Sequence, residues 1–165
     1  MQLLLEELSQ LLAEEYRLYE SLFALSGREQ QCLVANDTDG LDRSLTDIRE
    51  VIARVQAIGE RRQLTLGRLS EQTGIPLDQL TLKRLVGVAT GMTGVRLERL
   101  QRDFKDLMGR LHKLNGSNLL LIRNSLDMND RTVRLILGET GRVQFYGDAG
   151  QAENFGGPRL VSRRM

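Results

Sequence analysis

The chain has 165 residues, 23 basic and 22 acidic side chains, and a formal net charge of +1. This balance argues against a general nucleic-acid-binding or membrane-surface protein, which carries a clear excess of basic charge. With one His and one Cys in the sequence, nothing indicates a Ser-His-Asp triad or a zinc site, so we expect no enzyme and no cofactor.

The N-terminal residues do not resemble a targeting segment. They are apolar but reach acidic residues at Glu6 and Glu7, without a basic region or a long apolar run. No stretch approaches the roughly 18 apolar residues that a membrane-spanning helix needs. We therefore expect a soluble, cytoplasmic protein without membrane insertion. The single cysteine, Cys32, follows an apolar pattern and is expected to be a buried structural thiol.

Leucine periodicity predicts a first helix from residue 2 to about residue 35. Its heptad positions are Leu4, Leu8, Leu11, Leu18, Leu22, Leu25 and Cys32, with Glu15 and Glu29 as polar exceptions. Further apolar residues beside this seam widen the stripe, so the helix should face more than one neighbour. These are Leu5, Leu12, Tyr19 and Phe23.

The next residues, 36–40, predict a tight turn. Asn36 suits a left-handed C-terminal cap, and Asp37 or Asp39 can accept the free N–H groups at the start of a following helix. So short a turn makes the two helices antiparallel neighbours.

A second long helix is expected from about Leu41 to Thr73, where Gly74 ends it. Its clearest seam consists of Leu41, Leu45, Ile48, Ile52 and Val55. Periodicity then loosens at Gly59 and Arg62 and returns at Leu66 and Leu69.

Residues 75–94 have a different composition, with a short apolar segment followed by several glycines. Asp78 can cap a short helix here, which should lead the chain back along the first two helices.

A third long helix is predicted from Leu97 to Gly138, because apolar residues recur in alternating steps of three and four throughout. Its second half is almost uncharged, and four apolar residues follow one another from Leu119 to Ile122. Such residues point in four directions around the axis, and one neighbouring helix cannot cover them all. Either the bundle encloses this part or a partner covers it.

The remaining residues, 139–165, are rich in glycine and lose the periodicity, which is typical of a flexible tail. The predicted fold is thus all-α: an elongated antiparallel bundle of three long helices and one short helix. It has a helical domain at residues 1–138 and a C-terminal docking tail at residues 139–165. The tail still holds short apolar islands, which are Val143, Phe145, Tyr146 and Phe155.

The only histidine lies in the third helix. His112-Lys113-Leu114-Asn115-Gly116 resembles the phosphate-accepting helix of histidine phosphotransfer domains, which are also helical bundles. In that family a Lys three residues after the His holds the phosphoryl charge, whereas this chain has Asn115 there. The alternative to a phosphoacceptor is a surface histidine on a solvated face.

Two local motifs resemble FlgN, the family of flagellar type III export chaperones for the hook-associated proteins at the hook–filament junction. The first is the leucine and asparagine run from Leu111 to Ile122 late in the last long helix. The second is Phe145-Tyr146-Gly147 followed by Gly150-Gln151, soon after that helix ends. The turn Val34-Ala35-Asn36-Asp37 followed by Leu41 also fits.

The resemblance implies a cytoplasmic chaperone that holds the C-terminal helical segment of its client and prevents premature assembly. Its C-terminal part would bind the client, and the tail motif would dock the loaded complex on the cytoplasmic domain of the export gate. Gate docking is assigned to Phe145, Tyr146 and Gly147. A second apolar stripe beside the seam supplies the expected client-binding residues, which are Leu119, Ile122, Leu126, Val133 and Leu137.

Overall fold

The computed structural model describes residues 1–137, which form four α-helices and no strand. The helices are α1 (Gln2–Ala35), α2 (Thr38–Thr73), α3 (Leu82–Val88) and α4 (Gly91–Leu137), with a 3₁₀ turn at Leu77–Gln79 between α2 and α3. The prediction of three long helices and one short helix is confirmed. The expected tail, residues 139–165, lies outside the described residues.

The chain divides into two compact units, Met1–Arg123 and a second one that starts at Asn124. The predicted domain boundary after residue 138 stays a prediction.

Side-chain contacts fix the directions of the long helices within the first unit. α1 and α2 are antiparallel, because Glu15 pairs with Arg62 and the Ser44 hydroxyl donates to the carbonyl of Leu25. α4 is parallel to α1, since Gln2 donates to the hydroxyl of Thr93. Further along the same two helices, Asn118 donates to the carbonyl of Ser26. The long helices therefore run up, down and up.

The turn between α1 and α2 is built as its sequence predicts. Asn36 adopts the left-handed conformation with φ of 53°, and the Asp37 carboxylate accepts the backbone N–H of Gly40 at 2.9 Å. A Cβ on Gly40 would collide with that carboxylate and with the sulfur of Cys32, so a larger residue here would have to displace the capping side chain. The expectation of a buried Cys32 was wrong, because the side chain is half-buried at the edge of the turn.

The connection from α2 to α4 differs in detail from its prediction. Gly74 ends α2 in the left-handed conformation, as expected. The hydroxyl of Thr81, and not Asp78, caps α3 by accepting the N–H of Arg84 at 3.3 Å, because Asp78 lies in the preceding 3₁₀ turn. α4 already begins at Gly91, so the glycine-rich segment before Leu97 is helical.

The main core lies where α1 begins, α2 ends and α4 begins, and we call this the closed end. Its buried leucines are Leu5, Leu8, Leu12, Leu69, Leu80, Leu85, Leu97 and Leu100. Leu80 and Leu85 come from the short elements between α2 and α4, which place apolar side chains against the three long helices. The three-helix arrangement therefore has an additional apolar wall at this end.

Aromatic and charged residues form the middle of the first unit. The ring of Phe104 on α4 packs edge-on against Tyr16 and Tyr19 of α1, with ring centroids 5.4 and 6.0 Å apart. Burial raises the pKa of Tyr16 above its usual value, and the nearby charge of Glu20 adds to this shift. Arg110 stacks over the ring of Phe23 at 4.4 Å. The wide stripe of α1 thus faces both α2 and α4, as predicted.

Candidate functional site

An apolar groove lies between α1, α2 and α4 in the half of the first unit that holds the α1–α2 turn. Its volume is about 290 Å³. The lining residues, which define the groove, are Leu22, Ser26 and Glu29 of α1, Leu45, Ile48 and Ile52 of α2, and Leu111, Asn115, Asn118, Leu119 and Ile122 of α4.

The α2 wall of the groove is the seam with the clearest periodicity in that helix. Leu45 and Ile48 are only half-buried and Ile52 is exposed, although their spacing is typical of a core-facing stripe. In the second half of α2, Ile58 and Leu69 are buried, although the periodicity of that half is interrupted at Gly59 and Arg62. The groove therefore exposes a helix face whose sequence is suited to covering by another helix.

The polar residues of the groove are held by specific hydrogen bonds. Asn118 is 3 % exposed, and its Nδ2 donates to the carbonyl of Ser26 and to Oε2 of Glu29, both at 2.9 Å. Beside this pair, Gln30 donates to the hydroxyl of Ser117 at 3.0 Å. These contacts tie α4 to α1 along one edge, so the groove has one polar edge and otherwise apolar walls.

Two of the five expected client-binding residues lie in this groove. Both Leu119 and Ile122 line the groove. Ile122 is half-buried, and Leu119 is 49 % exposed. Leu120 is exposed as well. The sequence left open whether the bundle or a partner covers the four apolar residues from Leu119 to Ile122. The helices of the first unit do not enclose them.

The other three expected client-binding residues belong to the second unit, of which the helical residues Asn124–Leu137 are described. Leu126, Val133 and Leu137 are exposed there, Leu126 by 58 %. Met128 and Leu135, which lie on the heptad seam beside this stripe, are exposed as well, Leu135 by 82 %. No described segment covers either stripe of this helical part, so both present apolar side chains.

Sequence reasoning missed that α1 and α2 contribute to this surface. It placed the client-binding residues on the last long helix alone, whereas six lining residues of the groove come from the first two helices. The signal was present in the polar exceptions to the heptad seams, because Glu29 and Asn118 interrupt two seams and meet in the folded chain.

The expected gate-docking residues Phe145, Tyr146 and Gly147 lie outside the described residues. His112 is exposed on α4. Asn115, which stands where histidine phosphotransfer domains have a lysine, lines the groove. Within residues 1–137 no three His, Cys, Asp or Glu side chains are grouped so that they could hold a metal ion. No helix in this range is long and apolar enough to cross a membrane.

A comparison with protein families identifies the chain. The model of the FlgN protein family matches residues 1–154. The chain belongs to the FlgN family. No curated protein and no solved structure gives a match.

FlgN is a family of flagellar export chaperones, so the resemblance found in the sequence is confirmed at the level of the family. The match extends beyond the described helices and includes Phe145, Tyr146 and Gly147. Membership also favours a chaperone over the phosphotransfer alternative for His112. In this FlgN chain the groove and the residues of α4 from Leu119 onwards leave apolar side chains uncovered by the described residues.

Proposed function

We propose that this FlgN protein acts in the cytoplasm, where it binds the C-terminal helical segments of hook-associated flagellar proteins and delivers them to the export gate. The observation that carries the proposal is the exposure of apolar side chains on α4 from Leu119 onwards, in a helix whose periodicity is that of a packed seam. An isolated helix with such a face has lower free energy when another helix covers it.

Client binding is assigned to Leu119 and Ile122 in the groove and to Leu126, Val133 and Leu137 in the second unit. All five side chains are partly or largely exposed, so a client can bury apolar area without unfolding the chaperone. A client segment that would pack against its own copies in the filament has the apolar stripe needed to pack here first. Covering that stripe before export would prevent premature assembly.

The test is binding of the C-terminal segments of candidate hook-associated proteins to the full chain, measured by co-expression, size-exclusion chromatography and calorimetry. We expect Leu119→Asp and Leu126→Asp each to weaken client binding at least about tenfold, because each places a charge in an apolar interface. Their melting temperatures should stay near wild type, since both side chains are already exposed.

The matched control is Leu3→Asp, because Leu3 is an exposed leucine of α1 at the closed end, outside the groove. Client binding by this variant should equal that of the wild type. A collapse of the melting temperature in Leu119→Asp would instead identify Leu119 as a core residue, and unchanged client binding in both groove and second-unit variants would contradict the assignment.

Gate docking is assigned to Tyr146, with Phe145 and Gly147 beside it. A tyrosine among glycines cannot be held in a core at low entropic cost, and an aromatic ring with a polar tip is a common interface anchor. We expect Tyr146→Ala to leave melting and client affinity unchanged. Binding of the loaded complex to the cytoplasmic domain of the gate should weaken by about 2 kcal/mol, the value typical of an anchor residue. Loss of client binding would overturn this role for Tyr146.

A further inference from the structure

The helical part of the second unit presents two apolar stripes on opposite sides, and a client segment accounts for only one of them. Leu126 and Val133 belong to the stripe assigned to the client, whereas Met128 and Leu135 belong to the heptad seam. Each seam residue follows a client-stripe residue by two positions, which is about 200° around a helix. Met128 is 71 % exposed, and no segment of residues 1–137 covers this seam. A helix covered by a client on one side therefore still has an apolar face on the other.

The seam alternates large apolar and small polar side chains. Met128 and Leu135 occupy its d positions, and Ser125 and Thr132 occupy its a positions. All four residues are exposed. The hydroxyl of Thr132 donates to the carbonyl of Met128 at 2.9 Å, so Thr132 can face an apolar side chain without leaving its hydroxyl unpaired. The seam thus offers, beside each large side chain, a small one over which a large side chain of another helix fits.

A second copy of this seam fits the first when the two helices are antiparallel. Ser125 of one copy then lies opposite Leu135 of the other, and Thr132 lies opposite Met128. Each contact occurs twice about the two-fold axis, and every layer combines one large and one small residue. A parallel pair would instead place Ser125 opposite Ser125 and Thr132 opposite Thr132, which leaves two layers underfilled. The alternation of side-chain size therefore favours the antiparallel arrangement.

Two charged residues beside the seam favour the same arrangement. Arg131 lies at one edge of the seam, and Asp127 lies one turn earlier on the same side of the helix. Within residues 1–137 neither of them is in an ion pair, whereas Asp130 and Arg134 pair with each other at 3.3 Å. In an antiparallel two-fold pair the same side of both helices meets, so Arg131 of each copy faces Asp127 of the other. In a parallel pair this side would face the uncharged side of the second helix.

We propose that a second copy of this chain covers the seam, as an antiparallel two-fold pair of the segments 124–137. The stripe that contains Leu126 and Val133 stays free for the client. The inference goes beyond the proposed function, because it concerns the face to which no client residue is assigned. One short segment from each chain forms the contact, so we expect a weak dimer with a Kd of about 1–100 μM.

The first test is sedimentation equilibrium of the full chain across this concentration range, without client. We expect a reversible dimer that Leu135→Asp weakens at least about tenfold, because it places a charge in the apolar seam. Client binding by this variant should equal that of the wild type. The matched control is Leu126→Asp, the same change on the opposite stripe, which should dimerise like the wild type. A dimer lost in Leu126→Asp and kept in Leu135→Asp would overturn the inference, because the second copy would then occupy the client stripe.

The charged pair is tested by mixing two variants. Asp127→Arg and Arg131→Asp, each alone, should weaken dimerisation at least about fivefold, because each places two like-charged pairs in the dimer. An equimolar mixture of the two should dimerise nearly like the wild type, since each chain then supplies the charge that the other lacks. The same changes at Asp130 and Arg134, away from the seam, serve as the matched control and should have little effect. A mixture no better than the single variants would contradict the arrangement.

Disulfide formation reports the direction of the two helices, in chains that carry Cys32→Ser. A chain with Ser125→Cys should form a disulfide with a chain that has Leu135→Cys, and not with itself, because the two copies of residue 125 lie about 15 Å apart along the antiparallel pair. A disulfide between two Ser125→Cys chains would overturn the antiparallel pairing. A wild type that stays monomeric throughout would mean that another part of the chain or another protein covers the seam, which also overturns the inference. Failure of every client segment to bind, with dimerisation as expected, would refute the proposed function alone.

Discussion

The closed end and the groove show two outcomes for the same kind of helix face. At the closed end, leucines of three long helices are covered by Leu80 and Leu85 from the short elements, and Leu69 and Leu97 are completely buried. In the groove, Leu22 of α1 is buried, but the leucines and isoleucines that α2 and α4 contribute remain half-buried or exposed. Apolar faces of this width need a fourth wall, and residues 1–137 supply one at the closed end only.

This difference predicts unequal contributions to folding stability, and core truncation should give the largest effect. We expect Leu69→Ala to lower the free energy of unfolding by about 3–5 kcal/mol, because it leaves a cavity in a closed core. Ile48→Ala should lower it by only about 1 kcal/mol, because that side chain is half-buried beside an open groove. Urea unfolding followed by circular dichroism measures both values. Equal losses would mean that the groove is as tightly packed as the closed end.

The buried ion pair in the middle of the first unit should give the next largest effect. Nε of Arg62 lies 2.8 Å from Oε2 of Glu15, which is 5 % exposed. Arg62→Leu should destabilise the fold by about 3 kcal/mol, because it leaves a buried carboxylate without a partner.

The matched control is Arg61→Leu, whose pair with Glu14 spans 3.9 Å and is exposed on both sides. That change should alter the unfolding free energy by less than about 0.5 kcal/mol. The double variant Glu15→Leu/Arg62→Leu should recover most of the loss. A similar effect of Arg61→Leu and Arg62→Leu would refute the importance of burial here.

The smallest effect concerns the turn at the groove end of the unit. Asp37→Ala should destabilise the chain by about 1 kcal/mol, because the N–H of Gly40 loses its acceptor. Asp39→Ala, in the first turn of α2 but without the cap hydrogen bond, should cost only a few tenths of a kcal/mol through the helix dipole. Thermal melts of the two variants measure the difference, and a larger loss for Asp39→Ala would reverse the assignment of the cap.

Local patterns in the sequence were enough to predict the helices, the first turn and the family. Heptad spacing defines a face, and the conformational preferences of Asn36, Asp37 and Gly74 define ends, because both depend on residues close together in the chain. The motifs around Leu111 and Tyr146 led to FlgN for the same local reason. The cap of α3 was predicted wrongly as Asp78 instead of Thr81. Both residue types are suitable caps, and the path of the chain before α3 decides which of them stands at its start.

Which apolar faces are covered depends on the packing of the folded chain. The clearest seam of α2, with Ile48 and Ile52, lines the groove, whereas the half of the helix with the interrupted seam supplies Leu69 to the core. Periodicity predicts that a helix face is apolar, but its burial depends on which other segments pack against it. The residues after Gly74 pack against the closed end, so the faces there are the ones that become buried. The meeting of Glu29 with Asn118 has the same origin, because these residues lie far apart in sequence and only the parallel packing of α1 and α4 joins them.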